Sequence, residues 1–345
     1  MNVGQQTIEW LYSEQLKIDA EWSVRTAKGF TWWGQCNAQT IEVVGEEKGP
    51  DGNTGYLISV RTDLLKSLEL TNKNLDFINL MLMSMASMSG PVYDAKQRTL
   101  SLHALVRVHA GIAEWMRPLI SLAATLQVSE AMAAGHTLED LMFAEENTSF
   151  HPQNGYRDIP DEMTEIVSSV VQPLGMQPCK WHPQEFKDAV DGHMQGPPSL
   201  MANAGGAGFT VEFPYDGISS LCQVMGGQPH PKYGNGLFLI QTFPVRGFSD
   251  VDGIKLALSL NAEELTQKPT GYGFGSYAFR DGSIHFTSFF PNAMYRPGLL
   301  PNIYFTCAAR AQAMAWRLAK KEWTADSFKP QHSAMGRFLG RFAGK

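Results

Sequence analysis

The chain has 345 residues, of which 43% are apolar and 18% charged, with a formal net charge of -6. That length suits about two domains of ~100–200 residues each, and the composition is that of a folded globular chain. The acidic balance excludes nucleic-acid binding over a broad surface, because phosphate neutralisation needs clustered Lys and Arg.

The N-terminus MNVGQQTIEW has neither a basic n-region nor an apolar h-region, so no secretory signal is expected. No run approaches the ~18 apolar residues of a membrane span. Cys36, Cys179, Cys222 and Cys307 never form CxxC, and so few thiols fit a reducing cytoplasm. Ile8, Leu11, Tyr12, Leu16 and Trp22 predict an opening amphipathic helix.

The stretch GFTWWGQCNAQTIEVV follows at 29–44. Gln35, Cys36 and Asn37 hold parts of a thiol-protease site, with His103 or His109 as a base. A nucleophilic thiol needs a helix N-terminus or an imidazolium beside it, whereas Cys36 precedes a strand-like run, so a structural thiol is expected. Trp32 and Trp33 point to opposite faces of a strand, so at most one enters the core; the other covers the N-terminal helix or meets a partner.

Strands are predicted at 40–44 and 55–60, and a helix at 72–85 from Leu75, Ile78, Leu82 and Met85. From Gly90 to Ala133 a strand, a polar turn and a second strand lead to a helix opened by Pro118. In that second strand Leu100, Leu102, Ala104, Val106 and Val108 share one face, and Ser101, His103, Leu105, Arg107 and His109 the other. Residues 135–182 turn acidic and carry prolines, predicting a linker exposed around 143–160 with a short helix after it.

The second half repeats the pattern. Pro183 opens a helix bearing Phe186 and Val190; strands follow at 208–213 and 236–243, then a helix from Asp250 as N-cap to Leu265. From Gly275 to Ala319 the strand-turn-strand-proline-helix order recurs, with Pro301 as the proline. There Ile284, Phe286, Ser288 and Phe290 oppose His285, Thr287 and Phe289. The end of the chain, 324–345, is basic with interleaved aromatics, suited to an acidic partner or an anionic surface.

Each half thus reads α-β-β-(β)-α-β-β-α. This predicts an α+β fold of two repeated units, 1–134 and 183–323, each an antiparallel sheet with helices packed on one face. No metal is expected, since His103 and His109 lie about 20 Å apart along a strand and the other histidines lack ligand spacing. No cofactor is expected either: GYGFGSYAF at 271–279 has Ser276 where a dinucleotide fingerprint needs glycine, and Walker A and GxSxG motifs are absent.

The element order, with the segments 90–133 and 275–319, resembles the type III secretion chaperone-like fold and the YbjN-type domains that share it. That resemblance implies dimer-forming proteins that bind polypeptides and have no catalytic centre. Two units in one chain imply an internal pseudo-dimer or a homodimer. The expected protein is therefore a non-catalytic, cytoplasmic, chaperone-like module that captures a polypeptide partner on sheet faces or edges. Its expected contacts are His103, Leu105, Arg107, His285, Thr287 and Phe289, with Trp32 or Trp33 as anchor, unless those positions are solvated or cover the other half. The alternative is an enzyme or small-ligand binder with a site in the cleft between the units, using Cys36 or a histidine. A further alternative is that the basic tail carries the chain to a membrane surface or nucleic acid.

Overall fold

The computed structural model describes residues 1–49, 52–84, 87–164, 178–191, 199–203, 206–215, 218–245 and 247–319. The basic tail and most of the short helix expected after 160 lie outside them. Asn2 caps α1 (Val3–Trp10) by accepting from the Gln5 N–H at 2.9 Å, and Ile8 and Leu11 turn inward. The first sheet comprises β1 (Ser23–Arg25), β2 (Gly29–Trp33), β3 (Ala38–Lys48) and β4 (Thr54–Lys66). After α2 (Asn72–Ser84) come β5 (Gly90–Asp94), β6 (Thr99–Val108), α3 (Ala113–Met142) and the two-residue β7 (Glu145–Glu146).

The second half holds α4 (Pro183–Val190), β8 (Ser199–Asn203), β9 (Gly206–Tyr215), β10 (Ile218–His230) and β11 (Gly234–Pro244). It ends with α5 (Asp250–Thr266), β12 (Ser276–Arg280), β13 (Ser283–Pro291) and α6 (Leu299–Ala319). The fold is α+β with two antiparallel sheets, ordered β1-β2-β3-β4-β6-β5, with β7 on the end of β4, and β8-β9-β10-β11-β13-β12. Apart from β7, the two orders correspond strand for strand, and the helices fall at the same points between strands. No helix among the described residues is long and apolar enough to cross a membrane.

Several elements depart from the sequence reading. Each half places four strands before its middle helix instead of two or three. Strand β10, which the sequence reading does not place, carries Gly226, Gly227 and Pro229; a bulge between Gly226 and Gln228, with Gly227 at φ +69°, accommodates them. Pro118 does not open α3 but sits inside it, and Ser249 rather than Asp250 caps α5 by accepting from the Asp252 N–H at 3.2 Å. Helix α3 runs 30 residues to Met142, so the expected linker begins within a helix.

Residues 143–161 of that linker form a strap on the first unit, whereas Pro178 and Lys180 bond to Asn292 of the second. Asn147 N donates to Leu64 O at 2.9 Å, Ser149 N to Cys36 O at 2.8 Å and Asp161 N to Gly34 O at 2.7 Å. Acidic composition marked it as solvated, but its backbone is tied down at these points.

The units pack through reciprocal contacts. Helix α2 meets α5 and β12 of the second unit, while α5 meets β5 and β6 of the first. Asn79 of α2 donates to Phe279 O at 2.7 Å and accepts from Phe279 N at 2.8 Å, and Asn261 of α5 treats Tyr277 likewise at 3.1 and 2.7 Å. These amides close the outer edge of β12, which would otherwise present unpaired backbone groups. At Gly273, with φ +66°, a Cβ would stand 1.7 Å from the Leu105 carbonyl oxygen, so only glycine permits this approach of one unit to the other.

Candidate functional site

The residues expected to contact a partner do not lie on open sheet faces. His103 is 8% exposed, Leu105 0%, Thr287 1% and Phe289 1%, because the second face of each sheet is closed within the chain. The loop at Gly273 covers Leu105, and Phe289 N donates to Ser87 O of the first unit at 3.4 Å. Burial, with Arg61 nearby, lowers His103 to about 3, so its imidazole is neutral. Arg107 is half-exposed and pairs with Glu47, and His285 is half-buried, with Nδ1 3.0 Å from the Thr242 hydroxyl.

Both tryptophans are covered. Trp32 enters the core, and Trp33 on the opposite face lies under the strap, with its Nε1 donating to Ser149 Oγ at 3.1 Å and its ring 5.0 Å from that of His151. Cys36 sits in the turn after β2. Partial burial and then the Glu146 carboxylate raise its thiol to about 11, the reverse of the activation a nucleophile needs. Among the described residues no group of three or more His, Cys, Asp or Glu side chains could hold a metal.

The strongest candidate is a pocket between α2, α3 and the β5–β6 hairpin. Leu64, Ile78, Met81, Leu100, Leu102 and Met142 form its apolar walls, around about 580 Å³ of empty space that includes its open mouth. The interior is small, with room for a few water-sized bodies. Ser87, Ser89 and Glu130 supply polar wall groups, and Lys232 reaches in from the β10–β11 hairpin of the second unit.

The polar side of the pocket is anchored through a buried chain of hydrogen bonds. Trp32 Nε1 donates to Gln39 Oε1 at 3.0 Å, and Gln39 Nε2 donates to Thr62 Oγ1 at 2.9 Å and to Ala124 O at 2.8 Å. Thr62 donates to Gln127 Oε1 at 2.7 Å, and Gln127 Nε2 to Ser89 Oγ at 3.1 Å. Ser89 N then donates to Ser87 Oγ at 3.0 Å, which lies 3.2 Å from Glu130 Oε2. The Tyr233 hydroxyl, from the second unit, donates a short bond to Glu130 Oε1.

Burial raises Glu130 from 4.5 to about 7, against the hydrogen bonds of Tyr233 and Ser87 and the charge of Lys232, which lower it. The side chain borders the pocket and is not fully buried, so its desolvation is incomplete. Glu130 thus titrates near neutral pH on an apolar wall, a setting found at binding and catalytic sites. Sequence reasoning missed it. Its one signal was the pair Gln127 and Glu130, three residues apart within the apolar run LISLAATLQVSEAMA.

Compared with protein-family models, curated proteins and solved structures, the chain matches none of them.

Proposed function

We propose that the chain is a non-catalytic binding protein, in which two chaperone-like units form an internal pseudo-dimer and a partner's apolar group enters the pocket at their seam. The observation that carries this reading is the pocket itself: apolar walls from the first unit, a few convergent polar groups and a rim residue from the second. The raised thiol of Cys36 supports the non-catalytic part. Polypeptide capture by strand addition remains the second reading, moved from the sheet faces to the sheet ends. Strands β5 and β12 face the other unit, whereas β1 and β8 end their sheets on the far sides.

The test is an NMR titration of the full chain with a small neutral probe, n-butanol. Saturable shifts at Leu102, Ala134 and Met142 are expected. Shifts that do not saturate, or that avoid these residues, would overturn the pocket reading.

A further inference from the structure

We propose that the pocket at Glu130 selects a small alkylammonium group, whose cationic head pairs with the Glu130 carboxylate while its chain lies along the apolar walls. This rests on the reading of the pocket as a binding site and names what it binds. The first support is charge. Interior acids of the second unit have guanidinium partners: Glu264 meets Arg310 at 2.7 Å, and Glu263 meets Arg317. Glu130 accepts from two hydroxyls, and among the described residues no cation lies within ion-pair distance of it.

The second support is hydrogen-bond capacity. A carboxylate offers about four lone-pair sites, and Tyr233 and Ser87 occupy two, leaving room for ammonium donors. The third is shape. The interior has room for only a few water-sized bodies, which suits a small aliphatic group better than a large ring. An anionic ligand would meet the ionised Glu130 as a like charge. Lys232 is the cation that lines the pocket, and it disfavours an ammonium ligand without forming an ion pair to Glu130. Among the described residues, the charged and titratable groups facing Glu130 are therefore Lys232 and Tyr233, both from the second unit's hairpin.

The same chemistry occurs in a free aliphatic amine and in the lysyl side chain of a polypeptide. The test compares n-butylamine, n-butanol and butyrate by NMR titration of the full chain at pH 8, where Glu130 is mostly ionised and the amine charged. Butylamine is expected to bind at least about tenfold more tightly than butanol, since a charge-assisted bond replaces a neutral one. Glu130→Gln, which keeps an acceptor for Tyr233, should abolish that preference, and Lys232→Gln should strengthen butylamine binding. Lowering the pH to 6 should weaken butylamine several-fold and leave butanol unchanged, as Glu130 takes up a proton. Nα-acetyl-lysine N-methylamide matching butylamine would assign the group to a polypeptide side chain; a marked loss would assign it to a free amine.

Equal binding of amine and alcohol, tightest binding of butyrate, or a preference that survives Glu130→Gln would overturn the proposal. If butanol binds without any amine preference, the pocket reading stands and the alkylammonium inference falls. If no probe produces saturable shifts at the pocket, both fall.

Discussion

Two interior carboxylates sit in opposite settings within one chain. Glu264 in the second unit is 1% exposed at its side chain and is met by Arg310, itself 2% exposed, and by the Tyr277 hydroxyl. The Arg310 guanidinium also lies 3.5 Å from the centroid of the Phe286 ring. Glu130 in the first unit has hydroxyl donors, no guanidinium partner among the described residues, and a pocket beside it. The first is a completed ion pair, whose removal by halves should be costly. The second is an incomplete one, and an interior charge without its partner indicates where a ligand's charge fits.

The comparison can be broken from either side. Arg310→Met would leave Glu264 buried without its counter-charge and should cost about 3–5 kcal/mol in urea unfolding. A loss below ~1 kcal/mol would mean that Glu264 is no more committed to its partner than Glu130. Asn79→Ala removes both bonds to Phe279 across the unit boundary and should cost about 1–3 kcal/mol in the same measurement, since polar backbone groups lose their partners there. No change would mean that the closed edge of β12 does not help to join the units.

Glu130→Gln should act in the opposite direction. A carboxyl raised from 4.5 to about 7 in the folded chain binds more protons there than in the unfolded chain. Its contribution to stability therefore falls as pH rises from 4.5 through about 7, and then levels off. The Gln variant should be more stable than the parent at pH 8, by on the order of 2 kcal/mol after discounting for the partial exposure of Glu130, and equal to it near pH 4.5. Parallel stability–pH curves would contradict the incomplete-pair description. The smallest effect belongs to Cys36: Cys36→Ser should shift stability by less than about 1 kcal/mol. Glu146→Gln should speed iodoacetamide labelling of Cys36, read by mass spectrometry, because the neighbouring negative charge is gone.

The architecture was legible where the local pattern determines it. The alternation at 100–108 and 284–290 located β6 and β13, and the helical spacing at 72–85 and 251–265 located helices, whereas the helix expected from Ile8 to Trp22 ends by Gln15. Strand β10 was hidden because Gly226, Gly227 and Pro229 carry turn chemistry that a bulge accommodates. Alternation states which residues share a face but not what covers it. His103, Leu105, Thr287 and Phe289 therefore read equally as partner contacts or as positions covered within the chain, and all four are buried, Leu105 under the loop at Gly273. Glu130 was hidden for a related reason. A glutamate on a helix looks solvated until its neighbours Ser87 and Tyr233, 43 and 103 residues away in the chain, are brought beside it.

The most direct measurement is the titration of Glu130 itself, followed by the chemical shift of its carboxyl carbon in the labelled full chain, with and without n-butylamine. A carboxyl that titrates near 7 alone and moves toward the ordinary range near 4.5 when the amine is present is expected, since an opposite charge favours the ionised form. A carboxyl that titrates near 4.5 in both conditions, or that is unmoved by the amine, would contradict the description of Glu130 as an ion pair awaiting its cation.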